Sequence, residues 1–149
     1  MMVKKSERFT FIIDLAVRQE QDALQLMGAS QQKLLAQQNQ LEQLINYRLE
    51  KQASFIAQQA AGLSIMQFRE MRAFADKLDQ AIDAQKSTVA NHEQDLARAR
   101  THWEQSHQRR KSLEKIRELA KVKEMKIEDK REQVELDTRS ARSRRKDGM

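Results

Sequence analysis

Ala60-Ala61-Gly62-Leu63-Ser64 is the stretch that decides how this sequence folds. It is the one convincing helix break between about residue 7 and about residue 138. Gly62 suits the left-handed position just past a helix end. Ser64 followed by Gln67 has the form of a capping box, in which each side chain satisfies a backbone N–H of the other residue. Leu63 and Phe68 stand at the positions of a hydrophobic staple. The reading is one long helix, a tight hinge, and a longer helix running back.

Composition supports long helices on both sides of that hinge. The 149 residues contain no proline and no cysteine. Proline is the residue helix interiors tolerate least, and Ala, Gln, Glu, Lys, Arg and Leu dominate here. Aromatic residues make up 5% and charged residues 34%. That is enough apolar matter for a seam between two helices rather than for a broad core. Without cysteine there is neither a disulfide framework nor a thiolate metal site. No apolar run of about 18 residues spans a bilayer. Lys4, Lys5 and the run Phe9 to Ile13 imitate a signal peptide, but Asp14 interrupts it and no cleavage site follows. Ser6 is expected instead to cap the first helix.

Working outward from the hinge, both arms carry heptads. In the first, Ile13, Met27, Leu34 and Leu41 recur in steps of seven. Ala16, Ala23 and Leu44 lie three residues after frame positions, and Val17, Leu24 and Ile45 lie four after, and together they form an apolar stripe along one face. Glu20 and Arg48 interrupt it, and Gly28 weakens the helix locally by about 1 kcal/mol relative to Ala while leaving room for a close approach. In the second arm Phe68, Ala75, Ile82, Val89, Leu96 and Trp103 fill one heptad position. Met71, Leu78, Gln85, His92, Ala99 and Leu113 fill the other. Gln85 and His92 are polar seam positions of the kind that set register. Beyond Leu113 a thinner stripe runs through Ile116, Ala120, Ile127 and Val134.

Together these features predict an all-α fold, a long antiparallel two-helix coiled-coil hairpin with its hinge near Gly62 and an overhanging second helix. The expected boundaries are a helix over about 7–60, the hinge at 61–64, a helix over about 65–138 and a mobile basic tail over 139–149, in one elongated domain. The arms measure about 80 and 110 Å at 1.5 Å per residue. Folding about Gly62–Leu63 sets residue i opposite about residue 125 − i, so the first arm ends opposite about residue 118 and the rest of the second arm has no internal partner. Such an unpartnered helix is a docking element.

The same residues argue against enzyme chemistry. His102 and His107 are five apart, unlike the four-residue spacing of a zinc helix, and His107 follows Trp103 by four, the spacing of a packed pair. The three glycines form no phosphate-cradling loop, and two helices are expected to offer no concave pocket. No catalytic residue, metal or cofactor is expected. The net charge of +6, much of it in Arg139, Arg142, Arg144, Arg145 and Lys146, suits nucleic acid, anionic lipid or an acidic protein surface, and composition alone does not choose among them. A nucleic-acid-binding coiled coil is an alternative from charge alone, although the tail lacks aromatics for base stacking. A scaffold that oligomerises through the overhang is another.

Two local segments carry a resemblance: Gln40-Leu41-Glu42-Gln43-Leu44-Ile45-Asn46-Tyr47-Arg48 before the hinge and Phe74-Ala75-Asp76-Lys77-Leu78-Asp79-Gln80-Ala81-Ile82 after it. Val89, Trp103, Arg110, Leu113-Glu114-Lys115-Ile116 and the basic end continue it. Over nearly the whole chain this resembles the FliJ family of flagellar proteins, components of the type III export apparatus. The resemblance implies a monomeric coiled coil similar to the gamma-subunit stalk of rotary ATPases. It implies binding to the export ATPase FliI, the export gate protein FlhA and export chaperones, with no specific nucleic acid. It places the protein in the cytoplasm, peripheral to the inner membrane at the flagellar base. The equivalent stalk of a virulence secretion system is a related alternative. The gate-contacting patch of the family falls on Gln40, Leu44, Tyr47, Phe74, Leu78, Ala81 and Gln85. Lys51 stands where the family pattern has an aromatic, and Gln85 where it has a histidine. By analogy with the stalk, the paired end enters the ATPase ring through Phe9, Ile13 and Leu24 on the first arm and Arg110, Ile116 and Arg117 on the second.

Overall fold

The computed structural model describes residues 4–147 and is a helical hairpin. Helix α1 spans Lys5–Ala61 and helix α2 spans Ile65–Asp147. The turn between them forms as its sequence dictates. Gly62 takes φ 97°, among the described residues the one positive φ, and its N–H donates to the Gln59 carbonyl at 3.2 Å. The capping box closes in both directions. The Gln67 N–H donates to Ser64 Oγ and the Ser64 N–H donates to Gln67 Oε1, each at 3.2 Å.

Contacts within the hairpin group into two units, one from Asp22 to Glu104 that holds the turn, and one made by the chain up to Gln21 with everything from Gln105 onward. In the turn unit the core is Ala23, Leu34, Leu78, Ile82, Val89 and Ala99. In the other it is Ile13, Ala16 and Ala120, with Ser6 buried beside them. No large side chain among the described residues is completely enclosed, because two helices cover each other along one stripe only.

The structure divides the single stripe expected on α1. Ala16 and Ala23 are buried and Leu44 is half-buried, whereas Leu24 and Ile45 are exposed and Val17 is only partly covered. The seam therefore alternates steps of three and four residues from Ile13 through Ala16, Glu20, Ala23, Met27, Ser30 and Leu34. On α2 the stripe Ile116–Ile127–Val134 does not continue it. All three are exposed, and only Ala120 of that set is buried. The strict heptad from Phe68 instead runs on through Arg110, Arg117 and Glu124, each partly covered.

Three other expectations are corrected. Ser6 does not cap α1: the Lys4 carbonyl accepts from the N–H groups of Glu7 and Arg8, and Ser6 lies inside the first turn. Helix α2 runs on to Asp147 rather than ending near 138, since nothing before Gly148 breaks it and Arg144, Arg145 and Lys146 in its last turn suit the helix dipole. Gly148 and Met149 of the expected tail lie outside the described residues. Finally, Ser6 at the start of α1 meets Glu124, not residue 118. Side chains lean toward the N-terminus of their own helix, so a long one on α2 bonds a residue of α1 that lies about one turn back.

Candidate protein-binding surfaces

Near the turn, the faces of α1 and α2 expose aromatic rings rather than bury them. Tyr47 and Phe74 are 41% and 43% exposed, and their rings meet edge to face with centroids 6.2 Å apart. Phe55 and Phe68 form a second, tilted pair at 5.8 Å. The Lys51 ammonium sits 5.4 Å from the Tyr47 ring centroid and holds this ring by cation–π attraction. Arg48 and Asp79 form an ion pair alongside, with Nε 2.8 Å from Oδ1. These residues line an open groove of about 700 Å³. Two helices near their turn have no third element to cover such rings, and edge-to-face pairing keeps the rings ordered in water.

The seven patch residues fare differently. Gln40, Tyr47, Phe74 and Ala81 are exposed; Leu44 is half-buried; Leu78 is core at 8% exposure. The Gln85 amide is turned inward, donating to the Gln37 carbonyl at 3.0 Å and to Gln37 Oε1 at 2.8 Å. Its role is therefore to join α2 to α1 at the seam. Of the seven, Gln40, Tyr47, Phe74 and Ala81 are thus the ones open to solvent.

The other unit contains a polar lattice. Glu20 accepts from Arg110 Nε, and His107 Nδ1 donates to Glu20 Oε1 at 3.1 Å. Arg110 also donates to Glu114 Oε2 at 2.8 Å, one turn along its own helix. Burial pushes the Glu20 carboxyl up, but the hydrogen bonds and charges of Arg110 and His107 outweigh it and hold the group below its ordinary value. The hydrogen bonds from Arg110 to Glu20 and Glu114 hold its guanidinium above the ordinary range. His107 thus engages Glu20, a hydrogen-bond partner that its spacing from Trp103 does not reveal.

The six residues expected at the ATPase ring differ in their exposure. Ile13 is core at 3% exposure, Phe9 and Arg117 are partly covered, and Arg110 is engaged in the lattice. Ile116 is exposed in the same unit, and Leu24 is exposed in the other. Beyond Glu124 every described residue of α2 is exposed, including Met125, Ile127, Val134 and Leu136. Sequence reasoning passed over Ser6, Glu20, Arg110 and Glu124 as seam pairs. The signal was present: Ser6 and Glu20 lie one heptad either side of Ile13, and Arg110 and Glu124 continue the Phe68 frame.

The family described as "Flagellar FliJ protein" matches residues 5–148. The chain belongs to the flagellar FliJ family. That membership makes it a component of the flagellar type III protein export apparatus. No curated protein and no solved structure matches the chain. The family match spans both helices and the turn, so the two aromatic pairs, the polar lattice and the exposed end of α2 all lie within it. Among the described residues no helix is long and apolar enough to cross a membrane, and no group of three or more His, Asp or Glu side chains is placed to hold a metal ion.

Proposed function

We propose that this family member works as a stalk-like coupling element of flagellar export. The exposed end of α2 binds the export ATPase ring, the Tyr47–Phe74 surface binds the cytoplasmic part of the export gate, and export chaperones are further partners. It acts in the cytoplasm, held at the inner membrane through those partners. The observation that carries the reading is the stretch of α2 beyond Glu124. It is helical, wholly exposed, carries apolar side chains and ends in a basic turn. A helix with an apolar stripe and no internal partner needs another protein to cover it, and its basic end suits an acidic ring interior. The exposed aromatic pair supports a second contact, because rigid aromatic rings are common anchors of interfaces.

The test is a pull-down of the purified full chain with the export ATPase, followed by ATPase rate and ring assembly with and without it. The reading expects binding, more assembled ring and a faster rate. No binding at moderate salt, or retention of RNA or DNA in place of the ATPase, overturns the ring contact.

A further inference from the structure

A second groove lies in the turn unit, away from the aromatic rings. Its floor is made by small seam residues, Ser30 of α1 and the buried Ala99 of α2. Small side chains at a seam leave a dent, here about 410 Å³. Leu26, 55% exposed, supplies an apolar wall. Lys33 from α1 and Arg98, His92 and His102 from α2 also line it. One acid, Asp95, is present.

The cations in this groove differ from the others near the seam. Arg48 is matched by Asp79, and Arg110 by Glu20 and Glu114. Among the described residues, Lys33, Arg98, His92 and His102 make no ion pair and no side-chain hydrogen bond. Two fixed positive charges and two imidazoles thus converge from both helices on a concave surface, against a single carboxylate.

We propose that this groove is a docking site for an acidic segment of a partner protein, one that presents carboxylates beside an apolar side chain. The unmatched cations select the carboxylates, and Leu26 selects the apolar neighbour. The groove is open and flanked by helix sides, with no helix N-terminus or glycine loop to grip a small phosphate, so its shape suits a chain laid along it. Its position supports a protein partner. Leu26 and Lys33 hold the heptad position that Gln40 and Tyr47 hold further along α1, and Asp95 and His102 hold the position of Phe74 and Ala81 on α2. The groove and the aromatic pair are therefore on one flank of the turn unit, about 20 Å apart along α1. The site stands independently of which protein docks at Tyr47 and Phe74.

The three histidines make the test specific. The full chain, isotope-labelled, is titrated with a synthetic helical peptide that repeats leucine and glutamate, and with its lysine analogue as control. Imidazole signals of His92 and His102 are expected to move saturably with the acidic peptide, while those of His107, held by Glu20, stay in place. Lys33→Glu with Arg98→Glu is expected to weaken binding about tenfold, since reversing two contacting charges turns attraction into repulsion. Arg144→Ala with Arg145→Ala, in the basic last turn of α2, is expected to change affinity by less than about twofold, because those residues belong to the other unit and do not line the groove. Circular dichroism checks that each variant folds, and Arg98→Gln replaces the double reversal if it does not. Unmoved His92 and His102 signals, equal binding of acidic and basic peptides, or full affinity in the charge-reversed variant overturns the site.

Discussion

The Glu124 carboxylate holds the first turn of α1 at Ser6, accepting the backbone N–H at 3.2 Å on one oxygen and the hydroxyl at 2.7 Å on the other. The early N–H groups of a helix have no partner inside it, so a residue more than a hundred positions away in sequence completes this end. Ser6 in turn accepts through its carbonyl from Thr10 Oγ1 at 3.2 Å.

That clasp makes a prediction in pH. The hydrogen bonds from the Ser6 hydroxyl and backbone, helped by Lys4 and Lys121, hold the Glu124 carboxyl below 4.5. Its folded value is lower than its unfolded one, so its contribution is present in full above about 4.5 and is lost as pH falls through the folded value. Thermal melts from pH 7 to 3 are expected to show a fall in Tm below about pH 4.5 that is shallower in Glu124→Gln. An unchanged slope in that variant contradicts the clasp.

The two described glycines of α1 and the turn are expected to respond to alanine with opposite signs. Gly28 lies within α1, and a Cβ there meets nothing within 4 Å, so it serves no close approach within the hairpin. Gly28→Ala should stabilise by about 1 kcal/mol. Gly62 has φ 97°, and Gly62→Ala should destabilise by about 1 kcal/mol. Urea denaturation of the two variants measures both.

The Glu20–Arg110 pair should couple measurably. Glu20→Gln removes the charge that Arg110 Nε faces, but Arg110 keeps Glu114. A double-mutant cycle of Glu20→Gln with Arg110→Gln is expected to give a smaller combined loss of Tm than the sum of the singles. Additive losses mean that the lattice does not hold the seam.

For the aromatic surface, Tyr47→Ala and Phe74→Ala are each expected to weaken binding of the export-gate domain by tenfold or more, about 1.4 kcal/mol, with helicity unchanged. Both rings are partly exposed, so neither change opens the seam. Calorimetry with the gate domain reads the affinity, and wild-type binding by both variants removes this contact.

Ending the chain after Glu124 should separate docking from folding. The described residues beyond it are exposed and no described contact with α1 involves them, so Tm should fall by no more than a few degrees while ATPase binding is lost. A truncated chain that binds normally places the ring contact elsewhere.

Several features were legible because they are local. Gly62, Ser64 and Gln67 interact over a few residues, so the turn and its capping are written in one short stretch and appear as expected. The α2 frame through Ile82 and Val89 was equally plain, since apolar residues fill it without competition. Helix boundaries were less so. The basic residues after 138 read as a tail because they lack an apolar stripe, yet they are helix formers with no breaker among them up to Asp147.

The sequence by itself determined two long helices and the point where the chain reverses, because helix propensity and capping depend on neighbours within one turn. Only the tertiary structure decided which side of α1 faces α2. The Ala16–Ala23–Leu44 and Val17–Leu24–Ile45 sets differ by one residue, about 100° around the helix, and both adjoin the Ile13 frame. Packing against α2 buries the small residues of the first set and leaves Leu24 and Ile45 in solvent. It likewise brings Ser6 to Glu124, Glu20 to Arg110 and Gln37 to Gln85, because a polar side chain at a seam acquires its partner only when the second helix supplies one.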